Sequence, residues 1–297
     1  MLPTISEFLQ LAQKNNLAHL DAELIIAHIL KKPREFVLTH PEYVETRSNA
    51  SVLKIKKLIN LRAKNVPFAY LTGQKEFYGW DFVVNKNVLI PRPETEALVD
   101  KVTEEIRKLK NKKIILIDVG TGSGCIPIAI LKNFEMEKLR NLETFAIDIS
   151  NQALTVAKAN AKKHGVKIKF LQGDLLSPIP PLLKGGRGDI GQQKFQIIIT
   201  ANLPYLTPLQ LKSEPSIKHE PKLALVAGKD GLKYYRQLLK QIKTLVTSYQ
   251  LLVTLFLEID PQQSNNIKKL IKQHLPHAKI TIHQDLSEKD RVVEIKI

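Results

Sequence analysis

From Lys113 onward, strand-length runs of apolar residues alternate with stretches of helical periodicity, and this alternation constrains the fold more than any other feature of the chain. The runs are Ile114–Val119, Thr144–Ile149, Lys167–Gln172, Phe195–Thr200 and Leu251–Ile259, then a pair at Lys279–His283 and Arg291–Ile297. Helical patterns separate most of them, notably Asn151–His164 and Gly231–Val246. Strands joined through helices run parallel, and the helices cover both faces of the sheet. The last pair leaves no room for a helix between its members, so an antiparallel edge is expected. The pattern predicts an α/β fold.

The first 75 or so residues read differently, as helices. Asp21–Leu30 places Ala22, Ile25, Ile26 and Ile29 on one side, with Asp21 as a plausible N-cap and Pro33 ending the run. Val52–Leu61 repeats the pattern. Phe77–Ile90 carries aromatic and β-branched residues around Asn85-Lys86-Asn87, which predicts a hairpin turning there. Pro91–Glu96 then opens a helix to about Lys110, with Glu94 and Glu96 at its positive end. Three regions follow: a helical domain over 1–75, a hairpin linker over 76–92 and an α/β domain over 93–297. Ser177–Gln193, rich first in Pro and then in Gly, reads as a mobile insertion.

Composition narrows the class. Apolar residues make up 43% and charged residues 25%, as in ordinary globular proteins, and no apolar run reaches the length of a membrane span. The opening Met1–Asn16 does not read as a signal peptide, and a lone cysteine fits a reducing compartment, so a cytoplasmic location is expected. A net charge of +16 would attract RNA, ribosomes or acidic proteins, but lysines dispersed over solvated helix faces give the same total. Charge therefore allows nucleic-acid contact without requiring it.

The chemistry is concentrated at strand ends. Asp118, Asp148 and Asp174 each follow an apolar run, and ligands of open α/β sheets sit beyond the carboxyl ends of strands. The loop Asp118-Val119-Gly120-Thr121-Gly122-Ser123-Gly124 has glycines at every second position, not the dinucleotide spacing. If its strand adjoins the next, the backbone of Gly120, Thr121, Gly122, Ser123 and Gly124 can approach a nucleoside while Asp148 accepts from ribose hydroxyls. A plain tight turn would use the same glycines. The acids favour a sulfonium over a pyrophosphate. Cys125 reads as a buried packing residue, and His219 as a surface or turn residue.

Asn202-Leu203-Pro204-Tyr205 follows the fourth strand. An amide or ring-bound amine is a poor nucleophile, and the Asn202 oxygen with the Leu203 carbonyl can each take one N–H of such a group. That aims its lone pair and offsets developing positive charge. Pro204 stiffens the turn, and Tyr205 can cover the target plane. A solvent-side Asn-x-Pro turn is the plain alternative. Loop and tetrapeptide together suggest methyl transfer from S-adenosylmethionine to an amide or aromatic amine.

In this order the motifs resemble the HemK/PrmC family of peptide chain release factor N5-glutamine methyltransferases. The likeness includes Asp21–Leu24, Pro67–Gly73, Glu76–Tyr78, Pro91–Glu96, Asp118–Gly124, Glu220-Pro221, Ala224-Leu225, Asp230–Leu232 with Tyr235, and Asp285-Leu286 with Asp290–Val293. Pro91–Glu96 and the ending are its most specific parts. The resemblance implies a class I (Rossmann-like) methyltransferase domain with a seven-stranded sheet, preceded by a small helical domain that helps dock the release factor. Asn202 and Tyr205 would be catalytic, with Leu203 and Pro204 also on the substrate. Gly120–Gly124, Asp148, Asp174, Leu175 and Asn202 would hold S-adenosylmethionine, without a metal. The chain departs from the family at Leu203, where proline is usual, at Leu175, where some members stack an aromatic, and at Asp260, which replaces a glycine. Asn-Leu-Pro-Tyr is typical of ribosomal RNA adenine dimethyltransferases, so N6-adenine methylation of rRNA or DNA stands as an alternative. Glutamine methylation of a ribosomal protein and an inactive RNA-binding module are others.

Overall fold

The apolar side read in Asp21–Leu30 does build a core. In this computed structural model, which describes residues 2–43, 49–109, 112–134, 141–179, 195–213, 215–249 and 251–297, the chain forms two compact units. The first is Met1–Gln74 with Glu214–His219. It contains α1 (Ile5–Lys14), α2 (His19–Leu30), α3 (Arg34–Thr39), α4 (Asn49–Ala63) and α5 (Phe68–Thr72). Ile5 and Phe8, Ala22, Ile25 and Ile26, and Ile55 and Ile59 are buried together. Thr4 and Glu7 form a capping box on α1. The N-cap of α2 is Ala18, not Asp21, because the helix begins one turn earlier than the apolar pattern shows. Asp21 sits in the first turn and meets Arg62 at 3.0 Å. Pro33 caps α3, so it ends one helix by starting the next. Buried Glu23 ties the two, with His19 and Arg34 each at 2.6 Å. The His219 ring lies 3.0 Å from the Lys64 carbonyl.

The second unit is Lys75–Ser213 with Glu220–Ile297. A hairpin of β1 (Gln74–Phe77) and β2 (Trp80–Val83) precedes the main sheet. Its turn is Tyr78-Gly79, with φ of 54° and 74°, not Asn85-Lys86-Asn87. Two successive positive φ angles make the turn whose twist suits a two-residue hairpin. The asparagines form a second turn after β2, closed by Asn87 N–H donating to the Asn85 side chain at 2.9 Å. The chain then enters a short 3₁₀ turn, Pro93–Thr95, and α6 (Glu96–Lys108).

The main sheet contains β3 (Lys113–Val119), β4 (Leu142–Asp148), β5 (Lys169–Gln172), β6 (Phe195–Ala201), β7 (Leu252–Glu258), β8 (Lys279–Gln284) and β9 (Asp290–Lys296), in the order β5-β4-β3-β6-β7-β9-β8. Only the β7–β9 and β8–β9 pairs are antiparallel, so the expected edge is present. Side chains alternate between faces. Ile114 and Leu116 pack with Leu98, Val99 and Val102 of α6 and with Ile126 and Ile128 of α7 (Cys125–Lys132). Ile115 and Ile117 pack instead with Leu238, Leu239 and Ile242 of the helix Lys233–Tyr249 and with Ile267 and Ile271 of the helix Ser264–His274. Burial on both faces is why these strands read as continuous apolar runs. The insertion expected at 177–193 falls largely on residues 180–194, which lie outside the described residues. Among the described residues no helix is long and apolar enough to cross a membrane.

The register sets the site. Val119 pairs with Ile147 on one side and Ala201 on the other, and Ala201 pairs with Leu257. The next residues, Asp148, Gly120, Asn202 and Glu258, therefore stand in one row at the ends of the strands.

One buried side chain fixes the hairpin to this unit. Asn160 of α8 (Asn151–His164) accepts from Val83 N–H at 2.7 Å and donates to the Val83 and Ser123 carbonyls at 3.0 and 2.9 Å. Asn160→Ala removes the partner of three backbone groups, one buried and two part-buried, so it is expected to lower unfolding stability by about 1–3 kcal/mol in urea titration. An unchanged midpoint would contradict this role.

Candidate active site

Gly120 leaves β3 with φ of 74°, and a Cβ there would lie 3.0 Å from Leu203 Cδ2. Glycine thus lets the loop and the tetrapeptide touch. The N–H groups of Gly120 and Thr121 both donate to the Ile147 carbonyl, at 2.8 and 3.0 Å, which folds the loop over the end of β4. Asp148 meets it there. Its Oδ2 accepts from Gly122 N–H at 2.9 Å and its Oδ1 from Ser150 N–H at 2.8 Å. Burial pushes this carboxyl above its ordinary value, and the backbone donors of Ser150 and Gly122 pull the other way. It is a held acceptor at the edge of a cleft.

That cleft is lined by Gly120, Thr121, Gly122, Ser123, Asp148, Asp174, Leu175, Asn202, Leu203 and Pro204, all expected site residues. Gly124 is not on its wall; it caps α7 in the left-handed conformation. Leu175 also has a left-handed φ, 53°, a strained position for a branched side chain. The Gln241 side chain holds it there, accepting from Leu176 N–H at 2.7 Å and donating to the Asp174 carbonyl at 3.4 Å. Asp118 is fully buried beneath the loop, where it accepts the Thr200 hydroxyl at 2.7 Å and burial pushes its carboxyl up to about 6. Cys125 is buried as expected, which pushes its thiol up to about 12 and leaves it inert.

The tetrapeptide is held by neighbours on every side. Asn202 Nδ2 donates to Thr95 Oγ1 at 3.1 Å, across 107 residues of sequence. The Tyr235 hydroxyl, beside the Leu203 backbone, donates to the Glu258 carbonyl. Tyr205 does not line the cleft. The bridge between Leu206 and Val226 redirects the chain after Pro204, and the Tyr205 ring packs against the apolar core. Gln263 Nε2 binds the Tyr205 carbonyl at 3.1 Å, and Gly231 passes so close that a Cβ would lie 2.2 Å from that oxygen. This explains the glycine of Asp230-Gly231-Leu232. Asp260, where the family has glycine, has φ of −67° and caps the next turn through Gln262 N–H, so no glycine is needed.

Several cleft residues were not among the expected site residues. Arg92, Thr95, Ile149, Pro221, Leu223 and Ala224 also line its wall. Arg92 is bonded to the Glu220 carboxylate, whose other oxygen takes Ile90 N–H at 3.1 Å. Pro91–Glu96 and Glu220-Pro221 stood out as motifs, and their meeting across the rim is the reason. Among the described residues that line the cleft Arg92 is the only lysine or arginine, and it is already paired. With Asp148 and Asp174 beside an apolar wall, the cleft suits a neutral or cationic nucleoside and disfavours a pyrophosphate.

Comparison with known proteins identifies the family. A family profile described as a methyltransferase domain matches residues 110–288, and one described as the PrmC N-terminal domain matches residues 2–73. The release factor glutamine methyltransferase of Bacillus cereus is 35% identical over 285 residues, covering 95% of this chain and 93% of its own. That of Dictyoglomus turgidum is 34% identical over 281 residues, covering 94% and 91%. For Bacillus subtilis the figures are 34% over 277 residues, covering 92% and 89%. With both units matched and a third of the residues identical along nearly the whole length, the chain belongs to the HemK/PrmC family of release factor glutamine methyltransferases.

Proposed function

We propose that this protein transfers a methyl group from S-adenosylmethionine to the side-chain amide nitrogen of the glutamine in the Gly-Gly-Gln loop of a peptide chain release factor. One observation carries the reading: the register brings Asp148, Gly120 and Asn202 level at the strand ends, so a nucleoside cradle and an amide clamp share one cleft. The cleft fits the cofactor. Gly120 and Gly122 leave room for close backbone approach, Asp148 offers an acceptor for ribose hydroxyls, and Ile149 with Leu175 gives the base an apolar slot. Asp174 lies exposed at the edge of the cleft, next to Leu175.

When bound, S-adenosylmethionine supplies an electrophilic methyl on sulfur. The clamp does the rest. Asn202 Nδ2 is bonded to Thr95, which leaves Oδ1 to accept one N–H of the substrate amide. The Leu203 carbonyl takes the other, and any residue at this position supplies it. Both acceptors counter the positive charge that grows on nitrogen as the N–C bond forms and the S–C bond breaks. The proton then leaves for water, since a protonated alkylated amide is a strong acid. Tyr205 acts here by buttressing the turn from the core side. The helical region over 1–75 serves as the docking domain for the release factor, and 76–92 as the linker to the methyltransferase domain over 93–297. A cytoplasmic site of action fits this substrate.

Two measurements test the proposal. Asp148→Ala is expected to weaken S-adenosylhomocysteine binding by about 1.5–3 kcal/mol in isothermal titration, the usual effect of losing a charged acceptor; an unchanged dissociation constant would remove Asp148 from the cofactor site. Incubation of purified release factor with labelled cofactor should place one methyl on the Gly-Gly-Gln peptide, and none once that glutamine is replaced. Asn202→Ala should cut this turnover by roughly 10²–10³-fold. Label found only on adenine of added rRNA would overturn the assignment.

A further inference from the structure

Glu258 ends the row at the strand ends, one strand beyond Asn202. The residue is 1% exposed, and among the described residues neither carboxyl oxygen meets a donor at full hydrogen-bonding geometry. A buried carboxyl in that condition costs stability, so its place beside the clamp calls for a reason. The uncharged donors facing it are the Thr95 hydroxyl and the Asn202 amide. Thr95 is itself the group that receives Asn202 Nδ2 at 3.1 Å.

We propose that Glu258 is a positioning residue for methyl transfer, acting through the Thr95 hydroxyl to hold the Asn202 amide with Oδ1 toward the substrate. The inference rests on the reading of Asn202 as the amide clamp. A hydroxyl has one proton. When Glu258 is ionised, Thr95 gives that proton to the carboxylate and keeps its lone pairs for Asn202 Nδ2–H. When Glu258 is protonated, its own O–H competes for those lone pairs, and the Thr95 proton is free to turn toward Asn202. The amide then gains by rotating its oxygen inward, which presents Nδ2–H to the substrate N–H and destroys the clamp.

The charge state changes near neutrality. Burial pushes the Glu258 carboxyl up to about 7, against the Thr95 hydroxyl, the Arg291 guanidinium and the Asn202 amide, while Glu94 adds to the rise. The Tyr205, Tyr235 and Cys125 side chains also feel its charge. Burial drives all three well above neutrality, so none of them titrates with it. Turnover should therefore rise with pH through about 7, and fall about tenfold per unit below it. Asp118 titrates near 6, so variants must assign the step.

The test follows methyl transfer to release factor at saturating cofactor from pH 5.5 to 8.5, with thermal melts as a check on folding. Glu258→Gln is expected to lower kcat more than tenfold and flatten the pH profile, leaving S-adenosylhomocysteine affinity and KM within threefold. Thr95→Val, nearly isosteric, should lower kcat similarly, and Thr95→Ser should recover most of it. Should Glu258→Gln fail to fold, the Thr95 pair and the profile of the unaltered enzyme carry the test. If Thr95→Val and Glu258→Gln keep normal kcat and profile while Asn202→Ala loses turnover, the positioning role is wrong and the clamp stands. If Asn202→Ala keeps full turnover, the clamp fails and this inference with it.

Discussion

The parallel pairing of β3 with β4 on one side and β6 on the other is the constraint on which the rest depends. Because Val119 is level with both Ile147 and Ala201, three separate strands release their next residue at the same height. The sheet reverses direction of growth at β3, and this is where a crevice opens above an open α/β sheet. A shift of one residue in either pairing would turn Asp148 or Asn202 to the opposite face. Two-sided apolar packing holds the register, with α6 and α7 on one face and the helices Lys233–Tyr249 and Ser264–His274 on the other.

Around this crevice, buried polar contacts fix what the apolar core cannot. Asp285 bonds to Arg291 at 3.1 Å, and Arg291 Nη1 reaches the Ile259 carbonyl at 3.3 Å. Together they tie the β8–β9 hairpin to the residue after Glu258, which gives the chain's closing motif a structural reason. Arg92 with Glu220 does the same for the rim, and Asn160 for the β1–β2 hairpin. Pairs of this kind add little net stability when desolvation is counted, but breaking one is costly, so each acts to specify a single arrangement.

Much of this was legible in the sequence. The central strands were, because burial on both faces leaves runs such as Ile114–Val119 almost wholly apolar; the edge strands β5 and β8 are not buried in this way and were read from their place in the alternation. The placement of the glycine loop, Asp148 and Asn202 around one cleft was, because each follows an apolar run that ends at the same edge of the sheet. The turn at Tyr78-Gly79 was not: an aromatic residue at positive φ is set by tertiary packing, and the asparagines nearby gave a stronger local signal. Nor was the inward packing of Tyr205, which follows from the Leu206–Val226 bridge. Thr95 and Glu258 were invisible as site residues, since a contact spanning 107 positions leaves no periodic trace.

In the proposed function one row of strand ends assembles both halves of the site, and a crystal structure with S-adenosylhomocysteine bound is its sharpest test. The ribose hydroxyls should fall on Asp148, the base between Ile149 and Leu175, and the sulfur toward Asn202. A cofactor seated away from Asp148, or with its sulfur remote from Asn202, would contradict it.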